Sequence, residues 1–124
     1  MLRKLLLAAT LASATPAIAN PNAATVELSN FKFAPSAIKL QARTPTILLL
    51  KNSSSGSHSF SAPAFFAGAD IDPASTGLIH NGEIEIPAHA TVQVTLTPAA
   101  GQYPLKCTHP FHSAFGMKGT IIVR

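Results

Sequence analysis

After Asn20, apolar residues recur at every second position in short runs broken by turn residues, and no stretch shows the spacing of an amphipathic helix of ordinary length. Side chains two apart share one face of a strand, so this pattern confines the chain to β structure. Val26 with Leu28, Ile38 with Leu40, Ile84 with Ile86, and Val92, Val94 and Leu96 each predict a strand with one buried face. Residues 46–50 and 120–123 are nearly continuous apolar runs, as in central strands covered on both sides or the closing strands of a sandwich. Turn signals fall between the runs: Asn30, Ala34 and Pro35, Thr44 and Pro45, residues 53–57, Asn81 and Gly82, Pro87, residues 98–101 and Pro110. The expected fold is all-β, a Greek-key β-sandwich or barrel of about seven strands. Residues 62–82, rich in Pro, Gly, Ala and Asp, are expected to form a long loop with at most a short helical turn.

The start of the chain has a different character. Met1, Leu2, Arg3 and Lys4 lead into an apolar run over residues 5–12, and small residues at Ala17 and Ala19 follow. A positive start, an apolar stretch too short to span a bilayer and a small-residue cleavage site describe a secretory signal peptide over residues 1–19. One domain over residues 20–124 would remain. Its longest aliphatic run, residues 47–50, has four residues, so no transmembrane segment is expected after cleavage. The mature chain keeps seven basic residues against five acidic ones, a net charge of +2. They are scattered, without a basic stripe or interleaved aromatics, so nucleic acid is not an expected partner.

An exported domain normally pairs its cysteines, yet this one has only Cys107. A lone thiol in an oxidising compartment is exposed to oxidation or crosslinking unless it is buried or bound to a metal. Its surroundings point to the metal. Between Tyr103 and Gly119 the chain places thiolate, imidazole and thioether donors at Cys107, His112 and Met117, within eleven residues. In a strand entering at Tyr103, alternation turns Tyr103, Leu105 and Cys107 to one face, and the turn that follows can fold His112 and Met117 back over the thiol. A fourth donor is His58, on the same face as Phe60 in a distant segment. Two imidazoles and a thiolate with a weak axial thioether form the donor set suited to one copper ion in electron transfer: sulfur stabilises Cu(I) and imidazole tolerates Cu(II). Cys107 must lose its proton to bind, and the metal drives that loss.

Tyr four residues before Cys, the Cys-x4-His-x4-Met spacing and Gly-Met-x-Gly leading into a terminal strand resemble the plastocyanin-like cupredoxins, the type 1 blue copper proteins. Leu50, Lys51 and Asn52 with the Ser/Gly loop before His58, and Phe31-Lys-Phe-x-Pro, extend the resemblance from about Thr25 to Arg124. It implies equatorial ligation by His58, Cys107 and His112 and axial ligation by Met117. Two departures stand out. The Cys-to-His loop has four intervening residues where plastocyanin has two, which makes His109 a competitor; Pro110 and the distance to Met117 favour His112. Ser59 stands where the family often has an Asn that ties the two ligand loops together, so a weaker tie is expected.

His80 and His89 sit in polar turns and are expected at the surface. Phe111 and Phe115 bracket His112 with Pro110 and Ala114, an uncharged loop through which the resemblance implies that electrons pass to redox partner proteins. Phe65 and Phe66 are expected in the core or as a lid near the site. The function expected is that of a periplasmic, monomeric electron shuttle; the alternative is a copper carrier or sequestration protein using the same ligands. An enzyme is not expected, since Glu27, Asp70, Asp72, Glu83 and Glu85 form no recognisable acid/base pair.

Overall fold

The structure, a computed structural model, describes residues 22–112 and 114–124. The leader expected over residues 1–19 lies outside the described residues.

Among the described residues, ten strands form two five-stranded sheets. They are β1 (Asn22–Ser29), β2 (Lys32–Ala34), β3 (Ala37–Leu40), β4 (Thr46–Asn52), β5 (His58–Ser61), β6 (Asp70–Ile71), β7 (Glu83–Ile86), β8 (Thr91–Thr97), β9 (Gly101–Lys106) and β10 (Lys118–Val123). One sheet runs β2-β1-β4-β8-β6 and the other β3-β10-β9-β5-β7. β1 and β4 pair in parallel, as do β3 and β10, while the other pairs are antiparallel. The expected all-β sandwich is therefore the fold, with more strands than the sequence indicated. β2 and β6 account for part of the difference, because three and two residues are too short to show a period of two.

The alternating residues meet between the sheets. Val26, Leu28, Leu48, Leu50, Val94 and Leu96 from one sheet face Phe60, Ile84, Ile86, Leu105, Ile121 and Val123 from the other, all buried. Each such side chain contributes about 1.5–3 kcal/mol by leaving water. The two apolar runs do lie in sheet interiors, at β4 and β10. Covering on both sides does not hold, however: Ile47, Leu49 and Ile122 are only half-buried, so each run has one core face and one shallower face.

Residues 62–82 are also more regular than a loop. A six-residue helix, α1 (Pro63–Gly68), is followed by β6 and a 3-10 turn over Pro73–Leu78, and both helical segments begin with proline, whose fixed φ suits a first turn. α1 buries Phe65 and Phe66 in the core, which excludes a lid. Phe65 packs edge-on against Tyr103 and Phe66, and Phe66 against Phe60. The segment closes through Asn81 and Gly82, both with positive φ, a two-residue turn that pairs His80 with Glu83 and starts β7.

Candidate metal centre

Two connections meet at one end of the sandwich. Residues 53–57 join β4 to β5, and residues 107–117 join β9 to β10. β5 opens on His58, which shares the core-facing side with Phe60, both buried. β9 delivers Cys107 just past its end, fully buried, continuing the inward side that Leu105 occupies. Beyond Cys107 the backbone coils in tight turns: the N–H of His112 donates to the carbonyl of His109 at 3.1 Å, and that of Phe115 to Phe111 at 3.0 Å. Met117 N–H donates to His112 O at 3.0 Å, and Cys107 N–H donates to Met117 O at 3.1 Å, which closes the loop at its base.

This coil brings His112 rather than His109 onto the thiol. His58, Cys107 and His112 each offer a ligand atom, and the three atoms lie within 4.8 Å of one another. The two imidazole Nδ1 atoms are 3.1 Å apart, and His112 Nδ1 is 3.3 Å from Cys107 Sγ. Two nitrogens each about 2.0 Å from a shared ion stand about 3 Å apart at an angle near 100°, so the spacing suits one transition-metal ion. Met117 is fully buried and held at both backbone groups beside this cluster. Strand alternation fails for His109 because the backbone has left extended geometry; its Nε2 pairs with Glu85 at 2.5 Å, and its ring stacks on His112 with centroids 5.3 Å apart and planes 18° from parallel. His80 and His89 are exposed and outside the cluster.

Burial, and then the nearby rings of His112 and His109, lower the pKa of His58 below its ordinary value, so its imidazole is neutral at pH 7 and has a lone pair to offer. The thiol accepts the N–H of Ser59 at 3.4 Å. Ser59 also makes the tie between the ligand loops that Asn makes elsewhere. Its hydroxyl accepts the N–H of Thr108 at 2.8 Å and lies 2.9 Å from Thr108 Oγ1, which in turn donates to Glu83 Oε2 at 2.8 Å. A carboxylate can only accept, so the Thr108 proton goes to Glu83, and the Ser59 hydroxyl proton can go to Thr108 Oγ1 or to Cys107 Sγ, 3.7 Å away.

Sequence reasoning missed several of these contributors. Glu83 and Glu85, two apart on β7, brace the ligand loop from the side through Thr108 and His109. Only the β5–β7 register, with Ser59 opposite Glu85 and Ser61 opposite Glu83, brings them there. Phe31 was legible as part of a family-like segment but not as a neighbour of the site. From the β1–β2 turn its ring meets His112 edge-on at 5.2 Å and Phe115 at 5.3 Å. Phe111 and Phe115 are 74% and 67% exposed and Phe31 42%, so exposed phenyl rings lie on the loop that carries a half-buried His112 and, from the β1–β2 turn, against its ring. Phe31 and Phe111 both hold positive φ, which costs a non-glycine residue roughly 1–2 kcal/mol.

A two-sheet β-sandwich with one cysteine and two histidines converging at one end defines a class, and the sequence agrees: the pattern of the cupredoxin-like domain family matches residues 3–123, so the chain belongs to that family. Among solved structures, auracyanin B superposes with a TM-score of 0.61 at 21% identity, over 85% of this chain and 91% of that one. Auracyanin A, described as a blue copper protein from the green thermophilic photosynthetic bacterium Chloroflexus aurantiacus, gives 0.55 at 22% identity, over 83% and 100%. A multicopper oxidase from Campylobacter jejuni, described as a metallo-oxidase, gives 0.61 at 10% identity, over 88% of this chain and 31% of that one. At these identities the likeness is one of fold. No curated protein matches the sequence. The soft thiolate and paired imidazoles, with the family membership, fit one copper ion per chain.

Proposed function

We propose that the chain is an exported, mononuclear blue-copper protein that carries single electrons between redox partners, with His58, Cys107 and His112 as equatorial ligands and Met117 as the axial one. The observation that carries this reading is the convergence of two Nδ1 atoms and one Sγ, within 4.8 Å, at the end of the sandwich. Bound copper supplies a Cu(II)/Cu(I) couple.

The protein's own residues do the rest. Cys107 and the histidines are held from three sides, by Ser59 and Thr108, by the closed 107–117 backbone and by the braces from β7, so the donors have little freedom to rearrange when the charge on a bound ion changes. Phe31, Phe111 and Phe115 form an apolar rim around His112 through which a docked partner can come close without strong charge pairing. No substrate is transformed in this reading. Export rests on the leader over residues 1–19, which makes residues 20–124 the mature domain and the bacterial periplasm its compartment; no helix among the described residues is long and apolar enough to cross a membrane.

Titration of the mature protein with Cu(II), followed by visible and EPR spectroscopy beside a Cys107→Ser variant, tests the reading. The expected result is an intense blue thiolate-to-copper band with narrow hyperfine splitting, lost in the variant. An ordinary Cu(II) spectrum that is the same in both proteins would sink it. Copper retained through repeated redox cycles supports the shuttle, whereas release to a chelating acceptor favours the carrier.

A further inference from the structure

The loop before His58 buries one hydroxyl, that of Ser54, whose role its neighbours decide. His58 Nε2, the ring nitrogen turned away from Cys107, lies 2.8 Å from Ser54 Oγ, and both residues are buried. A serine hydroxyl can donate to an imidazole nitrogen or accept from it, so this contact alone leaves the ring's proton unplaced.

Asn52 removes the ambiguity. Its side-chain nitrogen lies within hydrogen-bonding distance of three carbonyl oxygens, Gly56 at 2.8 Å, Ile86 at 3.0 Å and Pro87 at 3.1 Å. Carbonyls only accept, so the NH2 group must face them and Oδ1 must face Ser54. That oxygen takes the Ser54 N–H at 3.0 Å and lies 2.8 Å from Ser54 Oγ, while Gly56 O lies 3.0 Å from the same hydroxyl. The hydroxyl has one proton. Were it given to His58, Ser54 Oγ would face the buried Asn52 Oδ1 at 2.8 Å and Gly56 O at 3.0 Å with no hydrogen between them, lone pair against lone pair, and burial at Asn52 makes that costly. Given to Asn52 or Gly56, it leaves a lone pair for an N–H on His58 Nε2, and every group in the loop is satisfied.

We propose that Ser54, locked as an acceptor by Asn52, is a positioning residue that holds the His58 proton on Nε2, so that Nδ1 presents its lone pair 3.1 Å from His112 Nδ1 in the cluster with Cys107. This rests on the reading of His58 as a copper ligand. The relay sets the tautomer before any metal arrives and restrains ring rotation after it. Its acceptor is a side chain, so one substitution can remove it without altering the backbone.

The test is a pair of variants, Ser54→Ala and Ser54→Thr, compared with wild type in two measurements. The 15N chemical shifts of the His58 ring in metal-free protein report which nitrogen carries the proton, independently of copper. Competition titration with a Cu(I) chelator reports affinity, alongside the visible spectrum of the Cu(II) form. Wild type is expected to hold the proton on Nε2. Ser54→Ala is expected to mix the tautomers, lower copper affinity about 10–100-fold and shift the blue band, and Ser54→Thr, which keeps the hydroxyl, to restore all three. A metal-free wild type with the proton on Nδ1, or a Ser54→Ala protein unchanged in tautomer and affinity, overturns the inference while leaving the ligand set intact. A wild-type protein without any thiolate-to-copper band overturns instead the reading beneath it.

Discussion

At the scale of single residues, the proposed site combines donors of special chemistry with supports of ordinary chemistry, and the two differ in legibility. One cysteine in a chain whose start reads as an export leader, followed by His112 and Met117, stands out because few roles suit a lone thiol there. Ser54, Ser59, Thr108 and Glu83 are common residue types, and nothing in their spacing shows that hydroxyls and a carboxylate will be linked between two loops. Met117 shows how packing and ligation can be separated. It is fully buried, and Met117→Leu nearly conserves its volume, so the metal-free variant should lose less than about 1.5 kcal/mol in a urea melt. The copper form should change more. A soft thioether suits Cu(I), yet losing the fourth donor harms Cu(II) more, because the higher charge depends more on donated electron density; the reduction potential measured by voltammetry should therefore rise. An unchanged potential would mean that Met117 only fills the core.

Elements place these residues, and register governs what can be foreseen. The period-two runs identified the strands with a buried face because alternation is a local property. Strand pairing is not local: β7 reaches the ligand loop only because it pairs with β5, and that partnership depends on the turn at Asn81 and Gly82 and on the course of α1. Gly82 is the constraint in that turn. Its φ is +74°, and an added Cβ would lie 2.6 Å from the Cα of Pro63, at the start of α1. Backbone cannot yield there as a flexible side chain would, so Gly82→Ala should destabilise the fold by about 1–3 kcal/mol, seen as a lower midpoint in thermal unfolding. Because β7 carries both carboxylate braces, the same variant should also broaden the His109 and His112 ring signals in NMR spectra of the metal-free protein. A full loss of stability with sharp ring signals would show that the loop holds its shape without β7.

For the whole molecule, the question is how a chain with so few charges meets its partners. Residues 20–124 carry a net charge of +2, and the most exposed phenyl rings lie on the loop that carries His112 and in the β1–β2 turn against it. The loop rings of this rim were legible, since Phe111 and Phe115 flank a histidine with no charge between them, but Phe31 joins them only because the β1–β2 turn opens at the same end of the sandwich. Two copies can approach through this rim with their His112 edges facing, and only weak long-range repulsion opposes them. Electron self-exchange, measured by NMR line broadening in mixtures of the oxidised and reduced protein, should thus change only modestly with added salt, since screening has little charge to act on. Phe111→Asp removes a contact ring and places like charges opposite one another in the encounter pair. If losing that anchor weakens the encounter by about 1.4 kcal/mol, self-exchange should slow about tenfold. The blue band should be unaltered, because Phe111 supplies no ligand atom. If the variant exchanges as fast as the parent, or if salt changes the parent's rate by orders of magnitude, docking runs through charges on another face and the rim is not the route by which electrons leave.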